Sequence, residues 1–319
     1  MGELTKFMNE IVIKYSDYWY ENEVANPKMS IIVAAYNVED YIEKCLASLL
    51  KQTLKEIEVI VVNDGSNDLT PEIANVFQHC DKRFKLITQD NQKQGAARNN
   101  GLKVANGEYV GYVDADDYID EDYFEKLYNT AKKYDSDIAV ASVLKHKKTH
   151  SKYNVLYTNE IVANSLDERI KACEDKTRRF FNAWNKIYRS SLIKDNNILF
   201  AEGRIYEDVI FAIKALYYAN KVVTVPNTEY HYVGHSNSTV KSKDTNGQKK
   251  KDHITAYVEL IDFAKEHNIE LPERLNYVES FWHGPLKVYK GTYKIKKMLF
   301  GIIPIYLKVI KGEVEFNGN

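Results

Sequence analysis

Short apolar runs alternate with segments of helical periodicity over residues 29–142. The apolar runs, rich in β-branched side chains and of the kind buried on both faces of a parallel sheet, are 29–36, 57–64, 84–89, 108–114 and 137–142. Between them, apolar residues recur at every third or fourth position, as over 42–50 and 73–80. Thr70 and Pro71 predict the cap and first turn of the second of these helices. This order of elements predicts a doubly wound α/β sheet with right-handed crossovers.

Polar side chains follow the first, second and fourth predicted strands. They are Tyr36 with Asn37, the run Asn63 to Ser66, and the run Asp114 to Asp117. In doubly wound sheets the ligand lies beyond the carboxyl ends of the strands. The sequence therefore predicts that these three loops meet at one edge of the sheet and form the functional site.

The regular alternation fades after about residue 143. A charged segment over 165–182 has helical character, and residues 241–252 are polar and basic, which favours a hinge or a loop. Helical periods return over 254–267 and 272–290. The predicted parts are an N-terminal extension (1–28), with a docking helix as one option, a main α/β domain (29–240) and a helical accessory region (241–319).

Composition narrows the class of protein. The 319 residues carry a net charge of −1, so there is no basic excess to collect nucleic-acid phosphates, and we expect no nucleic-acid partner. The three cysteines are scattered and odd in number, which gives no disulfide framework and favours a reducing, cytoplasmic location. No apolar run approaches the ~18 residues that span a bilayer. We therefore expect a cytoplasmic globular protein.

The acidic run from Asp114 to Asp122 has three interpretations. The first is that these acids begin a helix, whose dipole stabilises negative charge at its N-terminus. This interpretation suits Asp120, Glu121 and Asp122. A calcium loop matches the carboxylate spacing, but Ile119 takes the place of the required glycine and a strand precedes the run. The third interpretation is a divalent cation held by few carboxylates and by substrate phosphates. It accounts best for the acids next to the strand.

Several phrases then occur in a fixed order and spacing. They are "SIIVAAYN", "VIVVNDGSND", "GAARNNG", "YVGYVDADDYID", "WNKIYRSSLI" and "EGRIYEDVIF". Together they resemble the inverting glycosyltransferase family 2, over residues 29 to about 238. The resemblance implies the GT-A fold, a doubly wound and mostly parallel sheet, followed here by a C-terminal helical extension. It also implies a divalent metal, Mn²⁺ or Mg²⁺, and a UDP-sugar donor.

The resemblance assigns the donor site residue by residue. The nucleotide-sugar residues that it implies are Ala35, Tyr36, Asn37, Asp64, Arg98, Asp114, Ala115 and Asp116. Asp114 and Asp116 match the family's D-x-D pair, in which the second acid ligates the metal. His235 is implied as a further metal ligand or diphosphate contact, with an exposed loop histidine as the alternative. For Arg98 the alternative is a surface arginine in a local ion pair.

The catalytic base and the acceptor site follow from two further phrases. The family's E-D motif corresponds to Glu207 and Asp208, and the resemblance implies that Asp208 takes the proton from the acceptor hydroxyl. Two acids in the first turn of a helix are the alternative. Trp184 and Asn185, together with Glu207, fall where the family builds its acceptor site. A single tryptophan is also a common core residue.

The chain departs from the family pattern at three positions. Ala34 replaces a common proline, Lys93 replaces a common glycine before "GAARN", and Val233 replaces an arginine after the sequence "YHY". None of these changes removes an expected catalytic group. Lys93 and Val233 put the phosphate contacts near the loop in doubt.

The last segment mixes lysines with apolar residues. Residues 287–311 carry seven lysines and no acid, so a basic amphipathic helix could bind the inner face of the plasma membrane, pack on the domain or form a dimer contact. The predicted enzyme transfers a sugar to a glycan or lipid-linked glycan of a bacterial surface polysaccharide, such as capsule or lipooligosaccharide. A catalytically idle nucleotide-sugar-binding or assembly subunit is the alternative. A Rossmann dehydrogenase is disfavoured because no GxGxxG follows the first strand.

Overall fold

The computed structural model describes residues 2–147, 149–175, 180–234, 244 and 247–270, and beyond these the backbone of short strands. The helices are α1 Glu3–Lys14, α2 Glu39–Leu50, α3 Thr70–Cys80, α4 Lys93–Val104, α5 Tyr123–Tyr134, α6 Leu166–Ala172, α7 Ser190–Asp195, α8 Asp208–Tyr218 and α9 Gln248–Glu266. The strands up to residue 234 are β1 Met29–Ala35, β2 Ile57–Asn63, β3 Phe84–Thr88, β4 Tyr109–Asp114, β5 Tyr118–Ile119, β6 Ile138–His146, β7 Ser151–Val155, β8 Val162–Ala163, β9 Lys186–Arg189 and β10 Val222–Val233. The strands expected from the apolar runs are therefore confirmed.

A mixed sheet organises the domain, with strand order β3-β2-β1-β4-β9-β6-β10-β5. β1, β2, β3 and β4 are parallel, as are β6 and β10, whereas β9 runs antiparallel to both of its neighbours. Ala34 pairs with Asp114, and Ala35 pairs with Asn63. The carboxyl ends of β1, β2 and β4 thus lie side by side, as predicted, and the three polar loops meet at one edge.

Alternate residues of the strands face two helical layers. On one face Ile31 and Val33 pack in a core with residues of α2, α3 and α5. On the other face Ile32 and Tyr112 pack with residues of α7, α8 and α9. Because both faces are covered, the central strands are apolar throughout and not alternating.

The N-terminal extension packs on the main domain. Ile11 of α1 is buried, and the rings of Tyr15 and Trp19 lie 5.9 and 5.5 Å from that of Phe77 on α3. Lys14 also pairs with Glu43 on α2 at 2.6 Å. The docking helix is therefore observed, and its residues share the core of the α/β domain.

Two local expectations need correction. Of the helix expected over 165–182, the described residues form α6, which starts at a capping box made by Ser165 and Glu168, whereas residues 180–182 are not helical. Thr70 does not cap α3, because its hydroxyl accepts a hydrogen bond from the backbone of Val38. The side chain of Asp68 instead accepts from the amide of Thr70.

The accessory region is only partly helical. α9 confirms the helical period over 254–267. The second period and the basic amphipathic helix expected at 287–311 are wrong for the described backbone, which forms strands at 277–279, 285–287, 295–299, 303–310 and 313–315. Pro304 cannot donate within a helix, and the isoleucines, Tyr306 and Val309 around it favour strands. Among the described residues, no helix has the length and apolarity needed to cross a membrane.

Candidate active site

The loops after β1 and β2 are joined by backbone-to-side-chain hydrogen bonds. The amide of Asn37 donates to Ser66 Oγ at 3.0 Å, and the amide of Asn67 donates to Asn37 Oδ1 at 2.9 Å. Asn37 takes a left-handed conformation with φ of 49°, which asparagine tolerates. Tyr36 beside it is 47% exposed, whereas Ala35 is buried. The Tyr36 ring is therefore available to stack on a ligand.

Asp64 fixes the neighbouring loop. The amide of Asp64 donates to the carbonyl of Ala35, and its Oδ1 accepts from Gln89 Nε2 and from the amide of Gln92, both at 2.8 Å. A polar cleft of about 580 Å³ opens beside these residues and is lined by Asn63, Gly65, Ser66, Gln89 and Asn91 among others. Its volume lies within the range of small-molecule sites.

Asp114 ends β4 and lies between charges of both signs. Its Oδ1 accepts from Arg98 Nη2 at 2.7 Å and from Gln94 Nε2 at 3.0 Å. Burial raises the pKa of Asp114 to about 6 against the opposing effect of Arg98, and Asp116 adds to the increase. Gln94 was not found by sequence reasoning, although its position one turn before Arg98 in α4 was a signal.

The residues beyond β4 fit a divalent cation. Carboxylate oxygens of Asp114, Asp116 and Asp117 lie within 4.8 Å of one another. Burial and the two neighbouring carboxylates raise the pKa of Asp117 well above its usual range, and its Oδ2, among the described residues, has no hydrogen-bond partner. The same three acids raise the pKa of the Cys45 thiol, which burial already raises. The cluster offers only oxygen ligands and carries excess negative charge. These are the properties of sites that bind Mg²⁺ and Mn²⁺.

Asp117 also supports the loop, because its Oδ1 accepts from the amide of Val233 at 2.7 Å. This contact holds the loop after β4 next to Val233, the last residue of β10. His235 follows two positions further along the chain. His235 itself lies outside the described residues. Its expected contact with metal or diphosphate therefore stays a prediction.

A second group of possible metal ligands consists of Asp120, Glu229 and His231. Asp120 was expected only to start α5, and this is wrong. Its Oδ1 lies 2.8 Å from His231 Nε2, and its Oδ2 accepts from the amide of Glu229 at 2.8 Å. His231 Nδ1 in turn lies 2.9 Å from His146 Nε2. Asp120 thus ties β5 to β10, whereas Asp122 precedes α5 and pairs with Lys126 in its first turn.

Arg98 connects two parts of the site. Its guanidinium is buried, and Nη1 donates to Glu207 Oε1 at 2.7 Å while Nη2 donates to Asp114. The surface location considered for Arg98 is therefore wrong. α4 can lie this close because Gly95 faces the carbonyl of Ala201, where a Cβ would stand only 2.1 Å away. Lys93, at the start of α4, has φ of 70°, the conformation that suits the glycine common in the family.

Asp208 begins α8, and Glu207 precedes it as the N-cap residue. Burial and the charge of Glu207 raise the pKa of Asp208 to about 7, against the opposing effect of Arg98, and Asp114 adds to the increase. Asp208 remains partly exposed. A partly exposed carboxyl with a pKa near neutrality suits a general base.

The acceptor candidates occupy different environments. The ring of Trp184 lies 4.4 Å from that of Tyr230 and 5.7 Å from that of Tyr232, and Trp184 is partly exposed. Tyr230, which sequence reasoning missed, accepts a hydrogen bond from the amide of Asp114 at 3.0 Å. Asn185 is 1% exposed and donates to the carbonyl of Ala141. Glu207 is buried and pairs with Arg98. Both side chains therefore bond within the protein, and their acceptor roles stay predictions.

The fold and these side chains define the class of protein. A mixed α/β sheet with acids beyond the ends of β2 and β4, and with a further acid at the start of a later helix, is that of the GT-A glycosyltransferases. A family model described as Glycosyl transferase family 2 matches residues 30–196. The chain belongs to this family and is a glycosyltransferase.

Three similar proteins or structures, all bacterial, illustrate the relationship. EpsH of Bacillus subtilis, a candidate glycosyltransferase, is 36% identical over 252 residues, which cover 76% of this chain and 70% of EpsH. TarS of Staphylococcus aureus, a poly(ribitol-phosphate) β-N-acetylglucosaminyltransferase, is 31% identical over 254 residues, 78% of this chain but only 41% of TarS. The crystal structure of residues 1–349 of S. aureus TarS with UDP-GlcNAc matches with a TM-score of 0.64 and 28% identity, covering 77% of this chain and 68% of that chain.

Proposed function

We propose that the protein is a metal-dependent inverting glycosyltransferase that moves a sugar from a UDP-sugar to a hydroxyl of a glycan acceptor, with Asp208 as the base. The observation that carries the proposal is the position of Arg98, whose guanidinium pairs at 2.7 Å with Asp114 at the end of β4 and with Glu207 next to Asp208. The raised pKa of Asp208, about 7, is in keeping with a base. In this proposal the base therefore lies close to the donor site. The family and the TarS complex with UDP-GlcNAc support the donor class.

In this proposal the loops after β1, β2 and β4 bind the donor. Tyr36 stacks on the uracil, Asp64 accepts from the uracil imide, and Asp114 approaches the ribose. Asp116 and Asp117 are the residues that would hold Mn²⁺ or Mg²⁺. When bound, the cation would stabilise the negative charge of the diphosphate leaving group.

The transfer itself is a direct displacement at the anomeric carbon. Asp208 accepts the proton of the acceptor hydroxyl as its oxygen bonds to that carbon, and the bond to the diphosphate breaks on the opposite side, which inverts the configuration. Arg98 pairs with Glu207 at 2.7 Å and in this way holds it next to Asp208. Trp184 offers a ring face to the apolar side of the acceptor sugar.

The acceptor belongs to a surface polysaccharide in this proposal, which is supported by relatives such as TarS, a poly(ribitol-phosphate) β-N-acetylglucosaminyltransferase by its name. The alternative of an idle binding subunit is disfavoured because Asp64, Asp114, Asp116 and Asp208 are all present. Membrane contact through residues 287–311 stays a prediction. Vesicle flotation of the full chain and of a chain ending at residue 286 tests it.

A panel of UDP-glucose, UDP-galactose, UDP-GlcNAc and UDP-GalNAc with Mn²⁺ tests the function. Released UDP is measured first with water and then with simple glycosides as acceptors. Turnover of one donor that is lost in Asp208→Asn supports the enzyme. Tight UDP-sugar binding without turnover under any of these conditions would favour the idle subunit.

A further inference from the structure

The loop that leads to the catalytic base is held by side chains of α9. Arg204 Nη2 donates to Glu259, and the amide of Ile205 donates to Asp252 Oδ2 at 3.1 Å. Asp252 is 4% exposed, and its Oδ1 accepts from Gln248 Nε2 at 2.6 Å. Burying a carboxylate is costly unless its oxygens accept hydrogen bonds. α9 thus contributes more than an apolar face to this loop.

The same loop contains a strained residue. Tyr206 has φ of 61°, a left-handed conformation that bulky residues adopt only when their surroundings impose it. Its ring packs edge-on against that of His253 on α9, with centroids 4.8 Å apart. Asp252, His253 and Glu259 therefore contact three consecutive loop residues immediately before Glu207.

We propose that α9 is a positioning element for the catalytic base, in which Asp252, His253 and Glu259 hold residues 204–206 so that Glu207 reaches Arg98 and Asp208 is aimed into the site. The inference rests on the proposed function, because it names the residues that orient Asp208. The accessory helix and the α/β domain act as one catalytic unit. The contacts that Asp252, His253 and Glu259 make with the loop lie at residues 204–206, so their role acts through loop 201–207.

Apolar packing alone does not account for this arrangement. α9 already buries Leu260, Phe263 and Ala264 in the core that it shares with α8. If α9 only covered the apolar core, its polar side chains could all face solvent. Here its buried carboxylate is used on a loop amide instead, next to the strained Tyr206.

The test compares Asp252→Ala and Glu259→Gln with Glu266→Gln, which repeats the Glu-to-Gln change at an exposed position of α9. We expect kcat for UDP release to fall about 10- to 100-fold in Asp252→Ala, since small misplacement of a catalytic group has effects of this size. The fall should be smaller in Glu259→Gln, because the amide oxygen can still accept from Arg204. The KM for the donor and its calorimetric affinity stay within about twofold because the donor loops are untouched. Glu266→Gln should match the unaltered protein.

Two further measurements separate positioning from general damage. Asp252→Asn keeps an oxygen for the Ile205 amide and should restore most of the lost kcat. Hydrogen exchange of a peptide covering 201–208 should quicken in Asp252→Ala and Glu259→Gln, while a peptide covering 109–117 stays unchanged. The acid limb of the pH–rate profile should also move to lower pH, because a released Asp208 is less buried.

The outcomes distinguish the two proposals. If the unaltered protein turns over no UDP-sugar, the proposed function fails, and exchange of the 201–208 peptide still tests whether α9 holds the loop. If the protein is active but Asp252→Ala and Glu259→Gln behave like Glu266→Gln in kcat and exchange, the inference is overturned. A parallel loss of kcat, donor affinity and thermal stability would also overturn it, since that pattern indicates a structural role.

Discussion

Arg98 Nη1 and Glu207 Oε1 form a buried ion pair 2.7 Å long between residues 109 positions apart in the chain. The other guanidinium nitrogen, Nη2, pairs with Asp114 at the same distance. Arg98 thus joins the strand end assigned to the donor to the N-cap of the helix that begins with Asp208. A planar guanidinium can serve two carboxylates in this way, whereas an ammonium group presents a single point of charge.

Replacing Arg98 with alanine should therefore destabilise the fold as well as abolish activity. Removal of one partner leaves Asp114 and Glu207 as buried uncompensated carboxylates, which costs about 3–5 kcal/mol. Urea denaturation at pH 8 measures the loss. Lys103→Ala, on the exposed side of the same helix, is the control and should change stability by less than about 0.5 kcal/mol. A small effect for Arg98→Ala would mean that the pair contributes little.

Asp116→Asn should weaken metal-dependent donor binding. It removes one carboxylate from the cluster of Asp114, Asp116 and Asp117 without changing the volume of the side chain. Calorimetry of the UDP-sugar with and without Mn²⁺ should show that the metal no longer raises affinity. The matched control is Asp122→Asn, a loop acid that pairs with Lys126. Equal metal dependence in both variants would contradict the assignment.

Asp208→Asn should separate binding from chemistry. An amide cannot take the acceptor proton, so kcat should fall about 10²- to 10⁴-fold, the usual contribution of a general base. Affinity for UDP should be unchanged because Asp208 lies outside the donor loops. Asp195→Asn, an exposed acid of the same type, serves as the control. Retained turnover in Asp208→Asn would place the base elsewhere.

Activity should rise with pH through the pKa of Asp208. The base works only when ionised, and burial and Glu207 raise its pKa to about 7, so kcat/KM should fall about tenfold per unit of pH well below 7. The charged groups that act on it are Glu207, Asp114, Arg98 and Lys186. Donor turnover measured from pH 5 to 9 locates the midpoint. A midpoint near 4 would mean that Asp208 is solvated during catalysis.

The raised carboxyl pKa values also predict how the cation affects stability. Asp114, with a pKa of about 6, and Asp208 favour their neutral forms in the fold, so their contribution to stability is full below pH 4 and is lost as pH rises through 6 to 7. A cation bound beyond β4 would stabilise the ionised carboxylates there and so offset the loss of stability. The increase in Tm produced by Mn²⁺ should therefore be larger at pH 8 than at pH 5.5. An equal increase at both values would argue against a cation site in the cluster of Asp114, Asp116 and Asp117.

The sequence predicted what local pattern controls. Apolar runs predict β1, β2, β3, β4 and β6 but not the short β5. The parallel register of β1 with β2 and β4 brings their polar loops together. The pairing of Arg98 with Glu207 and that of Asp120 with His231 join residues more than 100 positions apart. The periodicity of apolar residues along the chain cannot predict contacts between side chains so far apart in sequence. They depend on which helix faces lie against the sheet.

The final prediction concerns Lys93, whose φ of 70° places a residue with a Cβ in the left-handed region. Lys93→Gly should stabilise the protein by about 1 kcal/mol, because glycine adopts this conformation without steric cost. Lys103→Gly is the matched control, since the same substitution in the last turn of α4, where the backbone is right-handed, should destabilise by up to about 1 kcal/mol. Urea denaturation of both variants measures the difference in the free energy of unfolding. Destabilisation by Lys93→Gly would mean that contacts of the lysine side chain outweigh the backbone strain.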